Sequence, residues 1–219
     1  MQIKINTNFL PKINKIIKFF ILSDLVLWSG WGFIDPLFSI FVVEKIVGST
    51  LVSVGILATI YWFVKGALQI PISLFLDKTD GERDDFYALI LGLLISGGAA
   101  IILSMAQTIT QVYFIQVIKA IGFALYIPSW SAIVSRHLDK EHTAFEWALS
   151  SSTVSFGIGA AGLLGSLIAG SLGFRFLFIL TGLFAMVSVA ILLFVPDFIF
   201  PRKTTPNMPM RDHIQIGIK

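Results

Sequence analysis

The sequence predicts an all-α polytopic membrane protein in which six transmembrane helices form two inverted three-helix repeats. Three observations carry that prediction. Of 219 residues, 56% are apolar and only 13% charged, against the ~25% charged residues with which a soluble domain covers its surface. Six apolar stretches are each long enough to cross ~30 Å of hydrocarbon as a helix, which takes about 20 residues. The basic residues outside those stretches fall almost entirely on alternate connectors. The chain has no cysteine, which excludes a disulfide framework, a thiolate metal site and a cysteine nucleophile. No basic tract interleaved with aromatics points to nucleic acid.

Residues 1–18 are expected to form an amphipathic cytoplasmic segment. Ile13, Ile16 and Ile17 alternate with Lys12, Lys15 and Lys18, which suits a short helix lying on the membrane surface. A cleavable signal is excluded, because the first apolar stretch is too long and no small-residue cleavage site follows it. The bundle then occupies residues 19–196, with spans at Phe19–Val43, Thr50–Leu76, Phe86–Ala106, Thr110–Val134, Trp147–Gly170 and Phe174–Val195. Residues 197–219 form a cytoplasmic tail.

Orientation follows from the loop lysines and arginines. Lys4, Lys12, Lys15, Lys18, Lys78, Arg83, Arg136, Lys140, Arg202, Lys203, Arg211 and Lys219 all lie on one side of a six-span arrangement, and only Lys45 and Arg175 on the other. Both termini are therefore expected in the cytoplasm, with the chain in the cell membrane.

Asp24, Asp35, Lys65 and Lys119 remain inside the spans. A charge at mid-bilayer costs at least ~2.5–3.5 kcal/mol, so such residues face a protein interior or a wet cavity. Asp24, Trp28, Trp31 and Asp35 recur at i, i+4, i+7 and i+11, one stripe of a helix. Gln116, Lys119, Phe123, Tyr126 and Trp130 make a similar stripe in the fourth span, and Tyr61, Lys65 and Gln69 in the second. Ser150 to Ser155 cluster in the fifth. The third and sixth spans are nearly all apolar and look suited to lipid. At 1.5 Å per residue, Asp35 and Lys119 lie at similar depths, roughly 12 and 13 Å from the outer ends of their spans. They are expected to meet, with Lys65 reaching either aspartate on its long stem. Static ion pairs that hold the helices in register are the alternative.

Small residues at Ser155, Gly159, Gly162, Gly165, Ser166 and Gly170 predict close helix packing by the fifth span. Pro36, Pro71 and Pro128 each remove a backbone hydrogen bond from their helices. A shift of 92 residues overlays Gly30 and Pro36 on Gly122 and Pro128, and a shift of 90 overlays Gly92 on Gly182. Two three-span units of opposite orientation are the pattern of transporters built from inverted repeats.

The segment Ser73-Leu74-Phe75-Leu76-Asp77-Lys78-Thr79-Asp80-Gly81-Glu82-Arg83 resembles the loop between the second and third helices of the major facilitator superfamily. That loop reads glycine-x-x-x-aspartate-basic-x-glycine-basic-basic. Asp77, Lys78, Gly81 and Arg83 are its counterparts; Asp80 stands as an insertion and Glu82 replaces a basic position. Asp35-Pro36-Leu37-Phe38 is similar to the family's first-helix proline region. Gly122 through Pro128-Ser129-Trp130, with Arg136, is similar to its fourth helix, and Gly173-Phe174-Arg175 to its turn between helices five and six. The family's fourth-helix arginine falls on Ile118, beside Lys119, and the Gly-Pro of its antiporter signature is missing. The resemblance covers about residues 19–200. It implies helices one and four lining a central cavity, helices three and six facing outward, and a cytoplasmic gating loop of Asp77, Lys78, Gly81, Arg83 and Arg136.

The expected function is secondary active transport of a small solute by alternating access. The expected pathway residues are Asp24, Trp28, Trp31, Asp35, Lys65, Gln116, Lys119, Tyr126 and Trp130, with a buried Asp35 as a candidate proton carrier. Family members have twelve helices, so a six-helix chain is expected to be a half-transporter that pairs as a homodimer or with a second six-helix half, or a truncated member. A non-transporting subunit or decayed fragment is the alternative. No enzyme activity, cofactor or metal is expected. All three histidines, His137, His142 and His213, lie in loops or the tail, away from any membrane serine. His137 and His142 with Asp139 and Glu141 read as a solvated loop. No H-E-x-x-H helix or G-x-x-x-x-G-K-[ST] loop occurs.

Overall fold

The structure, a computed structural model, describes residues 13–78 and 82–194. Within them every long element is an α-helix and six helices are long and apolar enough to cross a membrane. Asn14 caps α1 (Lys15–Gly32), its Oδ1 accepting from the Ile16 N–H at 3.1 Å and so satisfying one of the orphan donors of the first turn. Ile17 is buried in the bundle. Lys15–Lys18 are thus the first turn of the span itself, and residues 1–12 of the expected surface segment lie outside the described residues, as does the tail.

The first span is not one continuous helix. After Gly32 a 3-10 turn occupies Asp35–Leu37, and α2 (Phe38–Lys45) completes the crossing. Pro36 sits in that turn, where its missing N–H leaves no donor for the helix ladder. By contrast α3 (Leu51–Leu76) and α5 (Ile109–His137) run on through Pro71 and Pro128. Between them lies α4 (Arg83–Leu103). Capping boxes start α3 at Thr50 and Ser53, and α5 at Thr108 and Gln111, each satisfying backbone donors that the helix leaves open. The remaining helices are α6 (Thr143–Leu172) and α7 (Phe174–Leu193). Only Gly173 separates them, at φ +82°, a left-handed conformation that glycine adopts without a Cβ penalty.

The helices pack in the sequence α3, α5, α4, α7, α1, α6. This places α5 and α1 in the middle of one layer, with α3 and α6 at its flanks and α4 and α7 behind. Exchanging the first three spans for the last three maps the α4–α5 contact onto α7–α1 and the α3–α5 contact onto α6–α1. The fold therefore is two inverted three-helix repeats. The repeating glycines mark equivalent crossings. A Cβ on Gly92 would lie 2.6 Å from the Gly122 carbonyl oxygen, and one on Gly30 would lie 2.8 Å from Phe184 Cβ. Beside Gly30, the Thr181 hydroxyl donates to its carbonyl at 2.7 Å. Farther along α1 and α7, the Ser23 and Ser188 hydroxyls hydrogen-bond at 2.7 Å.

Against α1, α6 presents Gly157, buried Ala161 and Gly165. A Cβ on Gly165 would come within 2.9 Å of Phe33 Cα. Gly159 and Gly170 meet nothing within 4 Å, so only part of the predicted small-residue row is a packing seam. At the opposite end of the bundle from the start of α4, the Val47 N–H donates to Gln107 at 2.9 Å and Val47 accepts from Ile109 at 3.2 Å. Those bonds tie two connectors together. The flanking helices are the least covered: 17% of the α3 spanning window and 11% of that of α6 are buried, against 44–50% in the other spans.

Candidate functional site

The middle of the open layer is an aromatic cluster built on Phe123. Its ring lies 5.5 Å from Trp28, 5.6 Å from Trp31, 6.2 Å from Tyr61 and 6.2 Å from Tyr126. Three helices meet there, because α1, α3 and α5 each turn one i, i+4 stripe toward this point. Asp24 is buried beneath the cluster and accepts from the Tyr126 hydroxyl, with Trp28 beside it. That hydrogen bond satisfies a carboxyl whose burial would otherwise be costly.

Lys119 points into the cluster. Its Nζ lies 3.8 Å from the Trp31 ring centroid and 5.1 Å from that of Tyr61. Lys65 also stands near Tyr61, its Nζ 5.3 Å from that ring and 3.9 Å from the Trp62 ring. A desolvated cation over an aromatic face gains up to ~2 kcal/mol. Two lysines from α3 and α5 therefore approach one tyrosine. Lys65 does not reach an aspartate as the sequence suggested: among the described residues no carboxylate lies within 4 Å of it, and its stem runs along the aromatic rings instead. Asp35 and Lys119 are close enough to couple electrostatically, yet no ion pair within 4 Å joins them among the described residues.

Asp35 is also exposed, where the sequence led us to expect a buried carboxyl. The cause is the 3-10 turn, which ends the α1 register before Asp35 and sets it on the open face. Gln116 and Trp130 belong to the predicted α5 stripe but stand away from the Phe123 rings. Gln116 is buried with its Oε1 unpartnered, and half-buried Trp130 lies 5.7 Å from Trp147 of α6, its Nε1 also unpartnered. The Trp31 Nε1 is a further buried donor without a partner.

At the end where α3 stops and α4 starts, Arg136 of α5 forms an ion pair with buried Asp85 of α4. His137 Nδ1 lies 3.6 Å from Glu82, and its carbonyl accepts from Asn14 at 3.4 Å. Burial pushes the Glu82 carboxyl up, opposed by the charges of His137 and Arg136. Of the expected gating residues, Asp77 and Lys78 are exposed just past α3, Arg83 is exposed at the start of α4, and Gly81 lies outside the described residues. Sequence reasoning chose Arg136 but missed its partner, Asp85. The available signal was an acidic pair, Asp84 and Asp85, in the first turn of a helix. Phe123 and Tyr61 were visible only as stripe members beside the lysines, and nothing in the sequence singled out Trp62. Among the described residues no cluster of three or more metal-ligating side chains occurs.

A helical bundle with six membrane-length spans and ionisable groups gathered on one open face is a multi-pass membrane protein of the transporter class. The family model described as Major Facilitator Superfamily matches residues 20–211, and the chain belongs to that family. No individual curated protein matches it.

Proposed function

We propose that the chain moves a small solute across the cell membrane by alternating access, together with a second six-helix unit that is either a like copy or a related half. The observation that carries this reading is the convergence of Asp24, Lys65, Lys119 and the Phe123-centred rings on the layer formed by α1, α3 and α5. Charged groups at membrane depth are tolerated where they line a wet cavity, and repeat-built carriers place their sites near the midplane. The broad apolar faces of α3 and α6 support a second unit closing over that layer.

Asp35 carries the coupling proton in this reading, and Lys119 holds its carboxylate when the proton leaves. The ion pair of Arg136 with Asp85, near Asp77, Lys78 and Arg83, latches the cytoplasmic end. Both termini are cytoplasmic, as the loop lysines and arginines indicate. A thermal-shift screen against sugars, organic anions and amphiphilic drugs selects a solute for uptake into proteoliposomes. Asp35→Asn and Lys119→Ala are each expected to abolish uptake; full retention in both overturns the assignment. A non-transporting membrane subunit is the competing reading, favoured by the wide exposure of α3 and α6, and it predicts no uptake of any solute by the unaltered chain.

A further inference from the structure

Two aspartates and two lysines stand on the open layer, but they are not paired one to one. Asp24 is already satisfied by Tyr126, which leaves Asp35 as the acid that couples to Lys119. Lys65 is only 8% exposed, and among the described residues it has neither an ion-pair nor a hydrogen-bond partner. The two ammonium groups share the Tyr61 ring as a neighbour, at 5.3 and 5.1 Å from its centroid. Their separation is thus no greater than those two distances laid end to end. Both rest on tryptophan faces, Trp62 at 3.9 Å and Trp31 at 3.8 Å. The Trp31 Nε1–H is a buried donor with nothing to donate to. An aromatic face eases the burial of a cation but does not cancel its charge, and buried charges are ordinarily paired.

We infer that Lys65 and Lys119, with the Tyr61 ring close to both and the Trp31 indole nearby, form a binding site for a small organic anion, a carboxylate or a phosphate monoester. This rests on the carrier reading only for its physiological role, since the site itself is defined by the side chains. An anion with a flat organic body matches this chemistry: its oxygens accept from the ammonium groups while its body lies against the rings. Asp35 competes for Lys119, so solute and carboxylate exclude one another at that lysine.

Trp31 and Trp62 touch the two lysines, so intrinsic fluorescence reports occupancy directly. The full chain is placed in nanodiscs of neutral phosphatidylcholine and titrated with benzoate, succinate and phenyl phosphate. Benzamide and benzylamine serve as the neutral and cationic counterparts. At least one anion is expected to give a saturable change that its neutral and cationic counterparts do not. Lys65→Met is expected to weaken that binding by about tenfold or more, the effect of losing one charge contact. Lys65→Arg, which keeps the charge, retains binding, and Asp35→Asn tightens it. Equal binding of benzamide or benzylamine, no saturable change with any anion, or unaltered affinity in Lys65→Met overturns the site. A change caused instead by adding phosphatidylglycerol to the discs assigns the lysines to lipid and overturns the solute site. Selective anion binding without uptake in proteoliposomes leaves the site standing and removes the carrier reading. Uptake of a cationic solute through these residues does the reverse.

Discussion

At Gly92 the backbones of α4 and α5 leave no room for a side chain: a Cβ there would sit 2.6 Å from the Gly122 oxygen and 2.7 Å from the Tyr126 nitrogen. Backbone atoms cannot swing aside as a flexible side chain can, so Gly92→Ala forces two helices apart. The expected cost is about 1–3 kcal/mol, read as a lower melting temperature in detergent. Gly159→Ala is the matched control. Its Cβ meets nothing within 4 Å, and alanine is favoured over glycine in a helix by up to ~1 kcal/mol. A Gly92→Ala protein as stable as the control would remove the close-packing account of that crossing. At this scale the sequence was readable wherever a residue acts through its own helix. Asp24, Trp28 and Trp31 share a face because 3.6 residues make a turn. It was unreadable wherever the partner comes from elsewhere in the chain, as Asp85 does for Arg136 from 51 residues away, or where a local break resets the register, as at Asp35.

The turn between α5 and α6 is held by side chains acting on backbone. Buried Glu146 accepts from the Asp139 N–H at 3.0 Å, and Asp139 accepts from the Glu141 N–H at 3.0 Å and contacts the His142 ring at 3.1 Å. The Glu141 N–H, followed by the His142 contact, holds the Asp139 carboxyl below the usual carboxylate range. A depressed folded pKa stabilises the turn above the ordinary value, and that contribution fades as pH falls through the folded one. The melting difference between the unaltered chain and Asp139→Asn is therefore expected to be present at neutral pH and to close in acid. A difference that stays constant, or that widens in acid, contradicts this linkage. The spans themselves were legible because about 20 apolar residues can only cross a bilayer as a helix. The first span shows the limit of that logic. Hydropathy counts residues but does not register that Pro36 interrupts the ladder, and so a broken crossing reads as a continuous one.

For the whole molecule, the proposed second unit makes a geometric demand. The native chain has no cysteine, so single introduced cysteines report proximity without background. Ala58→Cys, exposed on α3 and two turns from Lys65 on the same face, is expected to crosslink between units in membranes. Tyr87→Cys, on the outward side of α4 and also exposed, is not. Equal crosslinking at both positions, or none at Ala58, argues against pairing through the open layer. The repeat organisation was legible because close crossings select glycine, and the same spacing recurs in both halves. What stayed hidden was which helices touch. Apart from the corner where α2 meets α3, the first three spans barely contact one another, and α4 packs chiefly on α5 and α7. The order of emergence from the ribosome gives this pattern a temporal meaning. The leading trio enters the lipid with almost no surface in common and must wait, loosely associated, until the fourth segment arrives to lock α3 and α4 in place and the last two close around α1.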